Sequence, residues 1–285
     1  MNEGTPLNSL ALEKHRLPPV TDGGKETKGQ ILIIAGSREV PGAALLAAMS
    51  AMRAGAGKLQ IATVGSVASY IGVAMPEAMV VGLEEEDGGF ADSATLKLAE
   101  LASKVDAVVA GPGMAEGDVC TAIAAELLKT DARLALDAAL LHAMKPTQSP
   151  RESLPILLPH AGELASLLDC DSKEIDHDPI GCGLRAAELY GSIVLVKGVT
   201  SHVVTPAGDC WTYDGGSPGL GVSGSGDVLA GIVGGLLARG ADPLSALLWS
   251  VWLHGEAGAR LGRNVGPIGF LARQIADEIP ALLPR

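Results

Sequence analysis

The chain has 285 residues, enough for one large domain with a substantial core. Its 21 basic and 33 acidic residues leave a formal net charge of −12, which repels nucleic acid and anionic membranes at long range, so a phosphate ligand must be held locally. Apolar residues make up 47% and aromatics only 3%, which suits small-residue helices packed on a buried sheet and leaves few platforms for stacked bases.

Residues 1–29 are polar and rich in Pro and Gly, ending in the loop Gly23-Gly24-Lys25-Glu26-Thr27-Lys28-Gly29. They read as an arm, 1–28, lying over a single domain, 29–285. The start lacks the basic flank and apolar centre of a secretory signal, and no apolar run reaches spanning length, so the cytoplasm is the expected compartment. Strands are predicted over 30–35, 58–63, 78–81, 107–110, 134–137, 156–158, 193–197 and 202–205. Helices are predicted over 42–55, 94–102, 118–129, 162–168, 181–190, 226–239, 243–261 and 268–282. Strands separated by such helical stretches pair in parallel through right-handed crossovers, giving an α/β fold: a three-layer αβα sandwich around a mostly parallel sheet. Residues 202–213, with Pro206-Ala207-Gly208-Asp209 between two β-rich runs, read as a hairpin at the edge of that sheet.

Ligands of open α/β sheets collect beyond the carboxyl ends of the strands. Small-residue turns fall there after several predicted strands: Gly36-Ser37, Gly111-Pro112-Gly113, Pro159-His160-Ala161-Gly162-Glu163 and Lys197-Gly198-Val199-Thr200. The most informative stretch is Gly221-Val222-Ser223-Gly224-Ser225-Gly226-Asp227, which runs into an apolar helix. Its backbone N–H groups can converge on an anion at the positive end of the helix. Asp227 in that first turn is either a cap or a base set beside a phosphate.

Other motifs are absent. The turn after the first strand has the wrong spacing for a dinucleotide fingerprint, and neither Gly24-Lys25 nor Gly57-Lys58 is followed by the hydroxyl of a P-loop. No nucleophile elbow or zinc-protease helix appears. The four cysteines, Cys120, Cys170, Cys182 and Cys210, form no C-x-x-C pair and read as buried free thiols.

Taken in order, Lys28-Gly29, Gly36-Ser37, Pro41-Gly42-Ala43-Ala44-Leu45-Leu46-Ala47, Arg53-Ala54-Gly55-Ala56-Gly57, Gly111-Pro112-Gly113, Leu158-Pro159-His160-Ala161-Gly162-Glu163, Val196-Lys197-Gly198 and Gly224-Ser225-Gly226-Asp227-Val228-Leu229-Ala230-Gly231 resemble the ATP- or ADP-dependent NAD(P)H-hydrate dehydratases, the type that forms the C-terminal domain of bifunctional nicotinamide nucleotide repair enzymes. The likeness covers about residues 25 to 283, and Gly266-Pro267-Ile268-Gly269-Phe270-Leu271-Ala272 also fits it. It implies a ribokinase-like fold and a lyase reaction: ADP or ATP, with Mg2+, phosphorylates the ring hydroxyl of hydrated NADH or NADPH, and phosphate then leaves. By resemblance Asp227 is the base, and the amides of Gly224, Ser225, Gly226 and Asp227 form the anion cradle. Ala43, Gly113, His160 and Asp227 line the site of the hydrated dinucleotide; Lys197, Gly198, Val199, Thr200, Ser201 and Gly226 hold the nucleotide; Glu163 orients magnesium through water. The bland alternatives are a structural role for His160, a snorkelling Lys197 and a helix-start carboxylate at Glu163. The family also suggests a homo-oligomer, with a tetramer as one assembly, and a separate epimerase partner, since 28 residues are too few for the companion domain.

Two departures stand out. The Asp-Ala-Asp frequent after the family's central strand reads Asp137-Ala138-Ala139, and Ser223 occupies a usual glycine. The rival readings are a ribokinase-like kinase for a vitamin precursor, which would use the same Asp227, and a nucleotide-sensing module without turnover.

Overall fold

The computed structural model describes residues 4–19, 24, 28–146 and 151–284; residues 1–3, 20–23 and 25–27 of the expected arm lie outside them. The strands are β1 (Thr5–Pro6), β2 (Gln30–Ile34), β3 (Lys58–Val64), β4 (Ala78–Leu83), β5 (Glu85–Glu86), β6 (Gly89–Phe90), β7 (Ala107–Ala110), β8 (Arg133–Leu136), β9 (Ile156–Leu157), β10 (Ile193–Val196), β11 (Ser201–Val204) and β12 (Cys210–Tyr213). The helices are α1 (Ser9–Leu12), α2 (Gly42–Arg53), α3 (Gly65–Ala74), α4 (Ala94–Ala102), α5 (Asp118–Leu127), α6 (Ala139–Ala143), α7 (Ala161–Leu168), α8 (Ser172–His177), α9 (Pro179–Tyr190), α10 (Ser225–Ala238), α11 (Pro243–Asn264) and α12 (Ala272–Leu282).

Ten strands form one sheet in the order β1-β12-β11-β10-β9-β8-β7-β2-β3-β4, and the run from β10 to β4 is parallel throughout. Helices cover both faces, so the central strands are continuous apolar runs: every residue of β7 and β10, and Ile31–Ile34 of β2, is buried. The αβα reading from the sequence therefore holds. The expected hairpin is β11–β12, antiparallel as read, but it is not the outermost element. β1 pairs in parallel beyond it, Thr5 opposite Trp211, so the arm supplies the last strand. Leu7 and Leu12 bury themselves behind that strand, and Trp249 Nε1 donates to the His15 carbonyl at 2.6 Å.

Helix α10 is the inner strut of the fold. A Cβ on Gly231 would fall 2.2 Å from the Ala47 carbonyl oxygen of α2, one on Gly235 2.4 Å from that of Ala51, and one on Gly234 2.3 Å from Val109 Cγ2 of β7. Glycine is thus required where α10 meets the α2 backbone and the sheet, and buried Ala43, Ala44, Ala47, Ala48 and Ala51 make α2 the thin partner this approach needs.

Some elements are missing from the sequence reading. α3 follows β3 without an intervening loop or side-chain cap, so no start signal marks it. The small hairpin β5–β6 turns on Asp87-Gly88, both at positive φ (49° and 84°), a legible two-residue turn that the periodicity search passes over. The last helix begins at Ala272 rather than 268 because Gly269 sits at φ +94° and Leu271 is extended.

These contacts predict opposite signs for two helical glycine substitutions. Gly231→Ala drives a methyl into α2 backbone and should destabilise by about 2 kcal/mol despite its better helix propensity. Gly72→Ala in α3, whose nearest neighbour would be Val80 at 3.7 Å, should be neutral or stabilise by up to about 1 kcal/mol. Urea unfolding of both variants checks this; equal effects would contradict it.

Candidate active site

The loops after β2, β7, β8, β9 and β10 all leave from the carboxyl edge of the sheet, and the N-terminus of α10 reaches the same edge. Gly224 is the N-cap of α10 at φ +87°, a left-handed conformation that a residue with a side chain would adopt only under strain, and of the four amides expected to cradle an anion that of Ser225 already donates to the Val222 carbonyl at 3.1 Å. No side chain caps this helix. The cap reading of Asp227 is thereby excluded: it lies in the first turn, half-buried, without hydrogen bond or ion pair among the described residues. Burial, and then the charge of Asp137, raise its pKa to about 6 against the lowering effect of Lys197. An unpartnered carboxylate with that affinity for a proton, at the start of an uncapped helix, is the arrangement a general base needs.

Lys197 stands at the end of β10 with its ammonium against Asp137 Oδ1 at 2.7 Å and 3.7 Å from Glu163 Oε2. Burial alone would pull its pKa down, but Asp137, Glu163 and Asp227 together outweigh that and hold it above the ordinary lysine value. Its Nζ lies 3.8 Å from the place a Gly226 Cβ would occupy, so the charge abuts the α10 turn. The snorkelling alternative does not hold, because the half-buried side chain pairs with Asp137 rather than reaching for water.

Ala43 and Gly113 meet directly. A Cβ on Gly113 would fall 2.5 Å from Ala43 Cβ, and one on Gly224 2.4 Å from Leu46 Cδ1, three residues further along α2. One face of α2 therefore touches both small-residue turns. In the loop after β10, Val199 is fully exposed, Thr200 is half-buried, and Ser201 Oγ donates to the Gly198 carbonyl at 3.4 Å.

His160 and Glu163 have structural duties. His160 Nδ1 accepts from Gly162 N at 3.0 Å and Glu163 N at 3.3 Å, while Glu163 Oε2 accepts from His160 N at 2.7 Å, a reciprocal cap on α7. The neutral ring then carries its proton on Nε2, 3.4 Å from Glu163 Oε1, on an exposed side chain. The structure does not free Glu163 for magnesium. Its buried carboxylate is divided between the cap and Lys197, and no group of three His, Cys, Asp or Glu able to hold a metal occurs among the described residues. The protein donors do not fit a metal cage, since the place between Asp137 and Glu163 already holds an ammonium.

Sequence reasoning missed two participants. Asp137 was read only as the surviving carboxylate of an expected pair, yet it is buried, accepts from Ala138 N at 3.0 Å and holds Lys197. The next residue, Ala138, is held at φ +49°, a strained conformation for alanine that fixes the chain as it leaves β8. His254 of α11 lies against Ser225, with Nε2 3.0 Å from the hydroxyl oxygen. Its place in an apolar helix carries no local signal. The cysteines agree with the sequence reading: all four are free, three of them buried.

The raised pKa of Asp227 sets a stability test. A folded-state value near 6 above the ordinary 3.8 means the folded chain keeps a proton that the unfolded chain releases, so the stability linked to that proton is lost as pH rises through about 6. Asp227→Asn should leave the urea midpoint nearly unchanged at pH 4 and stabilise by the order of 2 kcal/mol at pH 8. Equal shifts at both pH values would contradict the assignment.

Residues 31–281 match the family model described as NAD(P)H-hydrate dehydratase. The chain is 44% identical, over 98% of its own length and 96% of the relative's, to the ADP-dependent (S)-NAD(P)H-hydrate dehydratase of Xanthomonas campestris. The structure of an ADP/ATP-dependent NAD(P)H-hydrate dehydratase from Bacillus subtilis, co-crystallised with ATP and Mg2+, superposes with a TM-score of 0.87 at 30% identity, covering 98% of this chain and 97% of that one. A ribokinase-like superfamily protein of Enterococcus faecalis shares the fold, with a TM-score of 0.82 at 23% identity over 98% and 94% of the two chains. Other relatives are named bifunctional NAD(P)H-hydrate repair enzymes, and the chain spans about half of their length. The chain belongs to the NAD(P)H-hydrate dehydratase family.

Proposed function

We propose that this chain converts the hydrated forms of NADH and NADPH, as their (S) epimers, back to the reduced dinucleotides at the expense of ADP or ATP. The observation that carries the reading is Asp227: an unpartnered carboxylate with a raised pKa, in the first turn of a helix that no side chain caps. The names of the Xanthomonas and Bacillus relatives support substrate and nucleotide.

Hydroxide leaves poorly near neutral pH, whereas a phosphate ester leaves readily. In the first step the ring hydroxyl attacks the terminal phosphorus of the nucleotide; an O–P bond forms, the bond from that phosphorus to the bridging oxygen breaks and releases AMP from ADP or ADP from ATP, and Asp227 takes the hydroxyl proton. The amides of Gly224, Gly226 and Asp227 and the dipole of α10 meet the charge on the transferring oxygens, with the Lys197 ammonium beside them. In the second step the ring nitrogen lone pair expels phosphate, and a proton leaves the neighbouring ring carbon to restore the dihydropyridine. Ala43 and Gly113 leave room for the nicotinamide half, the exposed Nε2–H of His160 is available as a donor to it, and Lys197 to Ser201 with Gly226 take the nucleotide. Asp137 and Glu163 are engaged by Lys197 and the α7 cap, so Mg2+, which would neutralise phosphate charge, would be held by the nucleotide rather than by these two side chains.

We further propose one catalytic domain, 29–285, with the arm 1–28 closing its edge, working in the cytoplasm beside an epimerase for the other epimer. Four free thiols and the lack of any described helix long and apolar enough to cross a membrane support the compartment. Self-association into a homo-oligomer is supported by Tyr70, Val73 and Met79, exposed on α3 and the outer strand β4.

With hydrated NADH as substrate, Asp227→Asn should lower turnover at least ~10²-fold while nucleotide affinity stays within a few fold. The wild-type rate should rise with pH along an acid limb near 6, where Asp227 ionises. Near-wild-type turnover in the variant would remove Asp227 from the reaction.

A further inference from the structure

His254 Nε2 lies 3.0 Å from Ser225 Oγ and 3.1 Å from the Ser225 carbonyl oxygen. One ring nitrogen carries either a proton or a lone pair, never both. With a lone pair, it could accept from the hydroxyl but would face the carbonyl lone pairs at 3.1 Å with nothing between them. With a proton, it donates to both oxygens at once. The opposite nitrogen, Nδ1, has no protein partner among the described residues, so a proton there would gain no bond within the protein. Burial first, and the Lys197 ammonium with it, push the pKa down to about 4 against the raising effect of the Ser225 carbonyl, so the ring carries one proton at neutral pH.

The consequence falls on Ser225. Its oxygen is occupied as an acceptor, and no other protein acceptor touches its hydroxyl among the described residues. Ser225 opens α10 between Gly224 and Gly226, in the turn where the family reaction gathers negative charge. We propose that His254 is a positioning residue: through Nε2–H it holds the Ser225 hydroxyl as a proton donor to an oxygen of the transferring phosphoryl group. The same bond ties α11 to the first carbonyl of α10 and fixes the turn against rotation. The inference rests on the dehydratase reading for the identity of the anion; the protonation of the ring does not.

Two measurements test it. In the wild-type protein labelled with 15N histidine, long-range 1H–15N correlation at pH 7 should give the Nε2–H tautomer for His254; an Nδ1–H tautomer would overturn the inference whatever the activity. In turnover of hydrated NADH with ADP or ATP, His254→Leu should lower kcat by about 10-fold to 10²-fold with KM for the nucleotide within a few fold. His254→Gln, which keeps an N–H near the Nε2 position, should recover most of that loss. Ser225→Ala should cost about as much as His254→Leu, and the double variant no more than either. Multiplying losses, or equal damage from Gln and Leu in folded proteins, would overturn the linkage. The tautomer needs no variant, so a misfolded His254→Leu leaves the test standing. An inactive wild type would count against the dehydratase reading, and the tautomer would then decide this one.

Discussion

The Lys197 ammonium faces a charge imbalance, one half-buried cation against the carboxylates of Asp137, Glu163 and Asp227. Three separate pieces of chain end at it: the exit of β8 through Asp137, the first turn of α7 through Glu163, and the first turn of α10 through Gly226 and Asp227. Ion pairs of this kind add little net stability, because desolvation offsets much of the attraction, but they fix where the elements sit. The closeness of the partners is unequal. Asp137 is in contact with the lysine, Glu163 is further off and tied into a helix cap, and Asp227 lies beyond ion-pair distance. Asp227 is left without a direct partner, and burial first, then the charge of Asp137, raise its pKa to about 6.

That arrangement needs α10 delivered to the carboxyl edge of the sheet. Gly231 and Gly235 let the helix lie on the backbone of α2, and Gly234 lets it lie on Val109 and Ile31. The alanine-rich composition of α2 is the other half of the same fit. The low aromatic and high small-residue content of the chain is thus a requirement of the site as much as of the core: bulkier side chains along this seam would lift the Gly224–Asp227 turn away from Lys197.

Much of this was legible in the sequence, for reasons that differ by residue. Apolar runs between helical stretches gave the parallel strands, because a sheet covered on both faces must be apolar throughout. Glycine-rich turns after those runs gave the edge where ligands gather, and Gly224-Ser225-Gly226-Asp227 gave the anion turn. The roles of single polar side chains were less accessible. His160 and Glu163 stand three residues apart at a helix start, which suits a cap as well as a ligand, and only coordinates show the cap being made. Asp137 and Lys197 are 60 residues apart, and Ser225 and His254 are 29 apart, so neither pair leaves a local pattern. α3 went unread because it lacks a cap and a preceding loop.

The central claim is that phosphate is put on the ring hydroxyl only to be expelled. It is tested most directly by incubating the purified chain with hydrated NADH, magnesium and either ADP or ATP, following dihydropyridine absorbance and inorganic phosphate together. The account predicts one phosphate released for each ring restored, with nucleotide consumed in the same ratio. Accumulation of a stable phosphate ester with no restored absorbance would contradict it and leave a kinase built on the same turn.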